Sequence, residues 1–244
     1  MIVSEQTMQW LHFVSLTSIP LYKLDEKGLP CGVASGCLVN IGSRKLILSV
    51  SHATGAGHWV AEMYFDSEQQ KTVIHHFGDV WSVVHLDTNS SVPEKLDFSF
   101  TEVPTDFFSV MQERNSTGRI IAKRPRHEFE TTLQDLPNAS EIYAFSGRVR
   151  PAKLDETTFW SEPTVYTGLK YLRTDGHYNV FKLPVPHPGH EAFEGCSGAP
   201  IVDRDGVVVA LVCSGDIATA TITGASVQRI AGAIQIYLAN RANA

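Results

Sequence analysis

The sequence predicts a mostly β fold that ends in one helix, and three observations carry the prediction. Short stretches in which apolar and polar residues alternate recur along the chain, turn-forming Gly, Asn and Ser residues separate them, and only residues 228–238 repeat apolar positions at helical spacing. At 244 residues, 43% hydrophobic and 19% charged, the chain is long enough for one large domain or two small ones.

The elements follow in order. The start of the chain, Met1-Ile2-Val3-Ser4-Glu5-Gln6, offers no basic leader, and residues 10–21 are too short and too polar for a signal core or a membrane span. A cytoplasmic protein with no membrane partner is expected. Residues 13–20 alternate as a strand would. A glycine-rich run at 32–39 and an apolar run at 45–50 read as a strand pair joined through Ile41-Gly42-Ser43-Arg44.

That second strand runs into Ser51-His52-Ala53-Thr54, so a β scaffold would hold an imidazole at its end. Residues 59–65 and 71–86 are again strand-like, with His58, His75, His76 and His85 among or beside them. Adjacent His75 and His76 would point to opposite faces, and no zinc-ligand spacing occurs, so neither metal nor cofactor is expected. Residues 94–103 form an alternating strand that places Asp97 between Leu96 and Phe98, where a carboxylate needs partners.

Residues 105–137 are more polar and read as a crossing between two halves, 1–115 and 116–244. They include Arg114-Asn115-Ser116-Thr117-Gly118 and a basic cluster, Lys123-Arg124-Pro125-Arg126, which could equally be a solvated edge. Strands resume at 141–147, 165–169 and 178–183. The formal charge of −6 leaves no basic footprint for nucleic acid or an anionic membrane. Four cysteines, at 31, 37, 196 and 213, show no CxxC or metal spacing, which suits free thiols in a reducing compartment.

The stretch with the most chemistry in it is Glu194-Gly195-Cys196-Ser197-Gly198-Ala199-Pro200. Acyl transfer needs a hydroxyl in a cleft with backbone N–H groups aimed at the developing oxyanion, and glycine permits so concave a turn. Gly195 and Ser197 would supply those donors. Taken alone, the heptapeptide could also be a turn between two strands. The α/β-hydrolase order requires a histidine after the serine, but the last histidine is His190. A subtilisin-like order requires an early aspartate, and Asp25 sits in an exposed-turn sequence, Leu24-Asp25-Glu26-Lys27-Gly28. The order His, Asp, Ser remains.

Leu48-Ser49-Val50-Ser51-His52-Ala53, Leu96-Asp97-Phe98-Ser99-Phe100 and Gly195-Cys196-Ser197-Gly198-Ala199-Pro200 resemble the histidine, aspartate and serine motifs of the chymotrypsin-like (trypsin-like) serine peptidases. The separations, 45 residues from His52 to Asp97 and 100 from Asp97 to Ser197, also resemble that family's. The resemblance runs from about residue 30 to the end and is carried by the three motifs jointly. It implies two antiparallel six-stranded β-barrels with a C-terminal helix and the site between the barrels. His52 and Asp97 would come from the first barrel, Ser197 from the second, and Gly195 and Ser197 would form the oxyanion hole. Cys213, Ser214 and Gly215 would lie on the strand that pairs with a protein or peptide substrate.

The residue six positions before the serine, Glu191, would stand at the base of the pocket for the substrate's P1 side chain and favour Lys or Arg. A place on a solvated loop edge is the other position open to it. Ala34 and Ala53 stand where extracellular members carry cysteines, which implies an intracellular, disulfide-free, bacterial-type member. Cys196 stands where zymogen-activated members have an aspartate, so activation by N-terminal cleavage is not expected. Two further readings stay open: an inactive scaffold on the same fold, and Cys196 as nucleophile. An active cytoplasmic endopeptidase would need restraint from a regulatory protein partner, a ligand or a narrow substrate range.

Overall fold

The computed structural model describes residues 4–69, 71–85, 93–115, 119–153 and 159–242. The chain before Ser4, Leu86 and residues 116–118, all used above, lie outside the described residues.

The first element is a helix, α1 (Glu5–Leu16), which corrects the first part of the strand expected at 13–20, whereas residues 18–20 do belong to a strand, β1 (Ser18–Leu24). Ser4 caps it by accepting from Thr7 N at 3.2 Å, and Trp10, Phe13 and Val14 share one face at i, i+3, i+4 spacing. That face docks on the second half of the chain. Trp10 Nε1 donates to Asp203 O at 2.9 Å, and Phe13 lies against Gly206. Docking of these rings makes helix of residues 13–16, which alternate as a strand would, and β1 follows after Thr17.

The first half continues with β2 (Pro30–Ile41), β3 (Arg44–Ser49), a single helical turn α2 (Ser51–Thr54), β4 (His58–Asp66), β5 (Lys71–His76), β6 (Trp81–His85) and β7 (Glu94–Val103). A separate hairpin, β8 (Val110–Arg114) and β9 (Ile120–Pro125), precedes a short β10 (Phe129–Glu130). The sheet order is β5-β4-β1-β2-β3-β7-β6, with β10 parallel to β2 through Phe129 and Val39. Where six strands were expected, this path therefore carries seven, and β10 adds another. Ile19, Leu21, Leu38, Ile47, Trp59 and Val103, from five strands, converge in one buried cluster.

The second half contains β11 (Tyr143–Lys153), β12 (Phe159–Asp175), β13 (Tyr178–Lys182), β14 (Pro200–Val202), β15 (Val208–Asp216) and β16 (Thr221–Ser226), which close as a six-stranded barrel. Its interior is packed with Tyr143, Phe145, Leu169, Phe181, Ile201 and Ile222, among others. Residue 115 lies in the connection between β8 and β9, β10 ends at Glu130, and the barrel's first strand begins at Tyr143.

The last helix, α3 (Val227–Ala242), returns to the first half. Val227, Ile230, Ala231 and Ile234, at i, i+3, i+4, i+7, are buried in a cluster shared with Leu48, Val50, Phe98 and Phe100. Tyr237 packs edge-on against Phe100 at 5.0 Å, and its hydroxyl donates to Glu102 Oε2 at 3.1 Å. Thus α1 docks on the barrel, and α3 bridges the two halves, since its buried cluster also contains Val208, Leu211 and Ala225 of the barrel. Among the described residues, no helix is long and apolar enough to cross a membrane.

Phe98 sits in that shared cluster with no exposed surface. Phe98→Ala is expected to cost about 3–5 kcal/mol, read as a lower urea midpoint at unchanged slope. A loss under about 1 kcal/mol would contradict the packing described, since even one buried methylene contributes nearly that much.

Candidate active site

Strand β3 ends at Ser49, and the extended residue Val50 leads into α2. Thr54 Oγ1 fastens this turn, donating to Val50 O at 3.0 Å and lying 2.6 Å from Ser99 Oγ on β7. The strand end expected to carry His52 is therefore one helical turn longer. The turn buries Ser51 and Thr54 and leaves the His52 side chain 47% exposed toward the cleft.

The structure brings the three predicted residues together. His52 Nδ1 lies 2.7 Å from Asp97 Oδ2, and His52 Nε2 lies 3.0 Å from Ser197 Oγ. Asp97 Oδ1 accepts from His52 N at 2.9 Å and from Ser51 Oγ at 3.2 Å. Burial alone would push the Asp97 carboxyl up. Hydrogen bonds from the His52 ring and backbone, its field and the Ser51 hydroxyl outweigh that, and the carboxyl lies below its ordinary value. An ionised carboxylate only accepts, so Nδ1 carries the proton and the Nε2 lone pair faces the Ser197 hydroxyl.

Partners from the barrel hold the Asp97 backbone: its N–H donates to Tyr178 Oη at 3.2 Å, and its carbonyl faces Cys213 Sγ at 3.8 Å. The serine loop is held from the other direction. Ser35 on β2 donates its N–H to Ser197 O and its hydroxyl to Gly195 O, both at 2.8 Å, while Ser49 Oγ donates to Ser35 O at 2.8 Å. Sequence reasoning missed Ser35, Ser49, Ser51 and Tyr178. Only Ser51, adjacent to His52, carried any local signal.

Two glycines make the loop possible. Gly195 and Gly198 have φ of +94° and +88°, and a Cβ on either would lie 2.1 Å from a carbonyl oxygen, that of Arg148 or Ser35. The N–H groups of Gly195 and Ser197 meet no acceptor among the described residues. Cys196 is buried with no exposed surface against Gly147, and burial pushes its thiol up to about 12. It is therefore a packed side chain, and Ser197 faces the imidazole.

Glu191, Cys213, Ser214 and Gly215 line a cavity of about 320 Å³ beside Ser197, with Phe193, Val212 and Ile222 as apolar wall. Glu191 lies on a 3-10 turn (His190–Phe193) and is exposed, so its carboxylate is solvated. His187, which sequence reasoning also missed, stacks edge-on against Phe193 at 4.8 Å behind Gly215. Its Nδ1 accepts from Gly189 N at 3.1 Å, and burial, aided by His190, pushes its pKa down against the pull of Asp216. The ring is thus a neutral wall. Asp25 accepts from Lys27 N and Leu29 N in a turn remote from this site. Among the described residues, no group of three or more His, Cys, Asp or Glu side chains could hold a metal ion.

No family model and no curated protein sequence matches this chain. Solved structures do match. The chain is similar to a serine endoprotease from Yersinia pestis (10% identity, TM-score 0.54, 96% of this chain and 67% of that one). It is also similar to mouse neuropsin, a serine protease (11%, 0.57, 93% and 96%), and to human heparin binding protein (10%, 0.54, 93% and 92%). The fold is that of the chymotrypsin-like serine proteases, mostly β with a C-terminal helix. At these identities the likeness establishes the fold alone, and one of the three proteins is named for binding heparin, so activity must be argued from the site.

The depressed Asp97 carboxyl has a consequence for stability. A carboxyl whose folded pKa lies below its unfolded value, about 3.9, contributes stability above that value and loses it as pH falls through the folded one. In urea unfolding between pH 7 and 3, wild type should exceed Asp97→Asn by a margin that shrinks with acidity. A margin that is constant or grows toward low pH would contradict the hydrogen bonding described.

Proposed function

We propose that the chain is a serine endopeptidase using His52, Asp97 and Ser197 as a catalytic triad. The observation that carries this reading is the continuous chain from Asp97 through His52 to Ser197, at 2.7 and 3.0 Å, beside two backbone N–H groups that meet no acceptor among the described residues. Ser197 Oγ attacks the scissile carbonyl carbon while its proton passes to His52 Nε2, and the carbonyl π electrons move onto oxygen. The Gly195 and Ser197 N–H groups donate to that oxyanion, each worth about 3–4 kcal/mol, the usual cost of removing one such donor from a serine protease. Collapse expels the amine, which takes the proton from His52 and leaves an acyl-enzyme. Water activated by the same imidazole then releases the acid. Asp97 keeps Nδ1 protonated and stabilises the imidazolium.

The substrate would be a protein or peptide whose backbone pairs with β15 at Cys213, Ser214 and Gly215. For its P1 side chain the apolar walls of Phe193, Val212 and Ile222 are the larger surface, and solvated Glu191 adds a screened charge at the rim. We also propose a disulfide-free, intracellular, bacterial-type enzyme acting in the cytoplasm, with a regulatory partner, and two folding units meeting near residue 115. Free thiols at Cys31, Cys37, Cys196 and Cys213 support the first of these.

The test is peptide-library cleavage by wild type, Ser197→Ala, Asp97→Asn and Glu191→Gln. Wild type should cleave, Ser197→Ala should not, and Asp97→Asn should lose on the order of 10⁴ in kcat through the wrong imidazole tautomer. Glu191→Gln should change the P1 Arg-to-Leu ratio by less than about tenfold, as a solvated charge allows. Folded wild type that cleaves nothing would leave a binding scaffold on this fold, and near-normal turnover in Asp97→Asn would remove Asp97 from its role.

A further inference from the structure

The basic cluster at residues 123–126 does not end as a solvated edge. Arg126 is only 7% exposed, and its Nη1 donates to Ser18 O while Nε, also buried, has no partner among the described residues. Burial pulls its pKa down to about 10, so it remains charged near neutrality. Its charged neighbours are Arg148 and Glu62, and Arg148 Nη2 lies 3.7 Å from Glu62 Oε1. Tyr22 donates to Glu62 Oε2 at 2.8 Å and is held neutral, since burial and that carboxylate push its phenol up. Among the described residues Arg126 therefore has no carboxylate to itself, and the one nearby, Glu62, also serves Arg148 and Tyr22. Two guanidiniums thus share one carboxylate, and a buried positive charge left over is costly, so a protein ordinarily supplies a further anion.

Both arginines line a cavity of about 490 Å³ at the junction of β1, β2, the β8–β9 hairpin and the barrel strands β11 and β12. Its size is that of small-molecule sites. Met111, Ile121 and Val165 give it an apolar side, and Glu113 on its wall is already paired with Arg124 at 2.8 Å. The cavity also backs onto the serine loop. Ser35 lines it and holds the Gly195 and Ser197 carbonyls, and the cavity residues Gly147 and Arg148 abut Cys196 and Gly195.

We propose that this cavity is an effector site for a small organic anion. A phosphoryl or carboxylate group would supply the counter-charge at Arg126, with Arg148 adding to the field, and an apolar body would lie along Met111, Ile121 and Val165. Guanidiniums suit either group because their planar donors match paired oxygens. Occupancy would bear on Ser35 and Arg148 and so on the position of Gly195. The influence on cleavage rests on the peptidase reading; the binding site does not.

The experiment measures Tm with phenyl phosphate, benzoate, or benzyl alcohol as neutral control, at ionic strength matched with sodium chloride, in wild type, Arg126→Gln and Ile121→Asp. Ile121 is 63% exposed at the cavity wall, so an aspartate there should fold and repel an anion. At about 100 times Kd an anion should raise the wild-type Tm by roughly 5–10 °C. Both variants should lose most of that rise. Phenyl phosphate acting alone assigns a phosphoryl ligand, and benzoate acting alone a carboxylate. No rise beyond the benzyl alcohol control, or a rise undiminished in either folded variant, overturns the site. Peptide cleavage should change at least threefold with the same anion, and a Tm rise with unchanged cleavage overturns the regulatory role. A Tm rise in a protein that cleaves nothing under any condition counts against the peptidase reading and not against the site.

Discussion

The grip of Ser35 on the serine loop is the contact on which the site's geometry depends. His52 and Asp97 come from the first sheet and Ser197 from the loop entering the barrel, so the 3.0 Å contact from imidazole to hydroxyl exists only if the halves are docked to within a few tenths of an ångström. Ser35 offers its N–H and hydroxyl to the carbonyls on either side of Cys196, and Ser49 takes up the Ser35 carbonyl in turn. All three bonds are buried or nearly so, where an unmade bond costs more than a made one contributes. Tyr178 and Cys213 reciprocate from the barrel by holding the Asp97 backbone. Around this seam α1 docks on the barrel, and α3 spans the barrel and the first sheet.

The same seam explains the two glycines and the buried cysteine. The loop passes so close to Ser35 O and Arg148 O that a Cβ at 198 or 195 would collide with a carbonyl. Cys196, between them, turns inward and packs on Gly147, which has no side chain to displace it. Burial without a cationic neighbour raises a thiol pKa, which is opposite to what a nucleophilic cysteine requires. The division of labour in the loop is therefore steric first and electrostatic second.

Much of the candidate site was legible because its three motifs are local: each couples a chemically distinctive residue to the strand or turn that presents it. The mostly β architecture was legible from alternation, and α3 from the helical spacing of apolar positions in residues 228–238. What escaped was decided by distant partners. Residues 13–16 alternate like a strand yet become helix because Trp10 and Phe13 find Asp203 and Gly206 nearly two hundred residues away. Ser35 and Tyr178 are unremarkable in sequence and matter through what lies opposite them. Arg126 reads as solvated in Lys123-Arg124-Pro125-Arg126 and is buried because its backbone N–H bonds Ser109 O and its head reaches Ser18 O.

The central claim is that Ser197 is a hydroxyl made nucleophilic by His52 and oriented by the Ser35 seam. The most direct measurement is the intact mass of the protein after treatment with a fluorophosphonate, with the adduct mapped by peptide mass spectrometry. The account predicts one adduct per chain, located on Ser197, abolished in Ser197→Ala and slowed by at least about a hundredfold in His52→Ala, the low end of what a positioned base contributes. A folded protein that takes no adduct, or takes it on another residue, would contradict it.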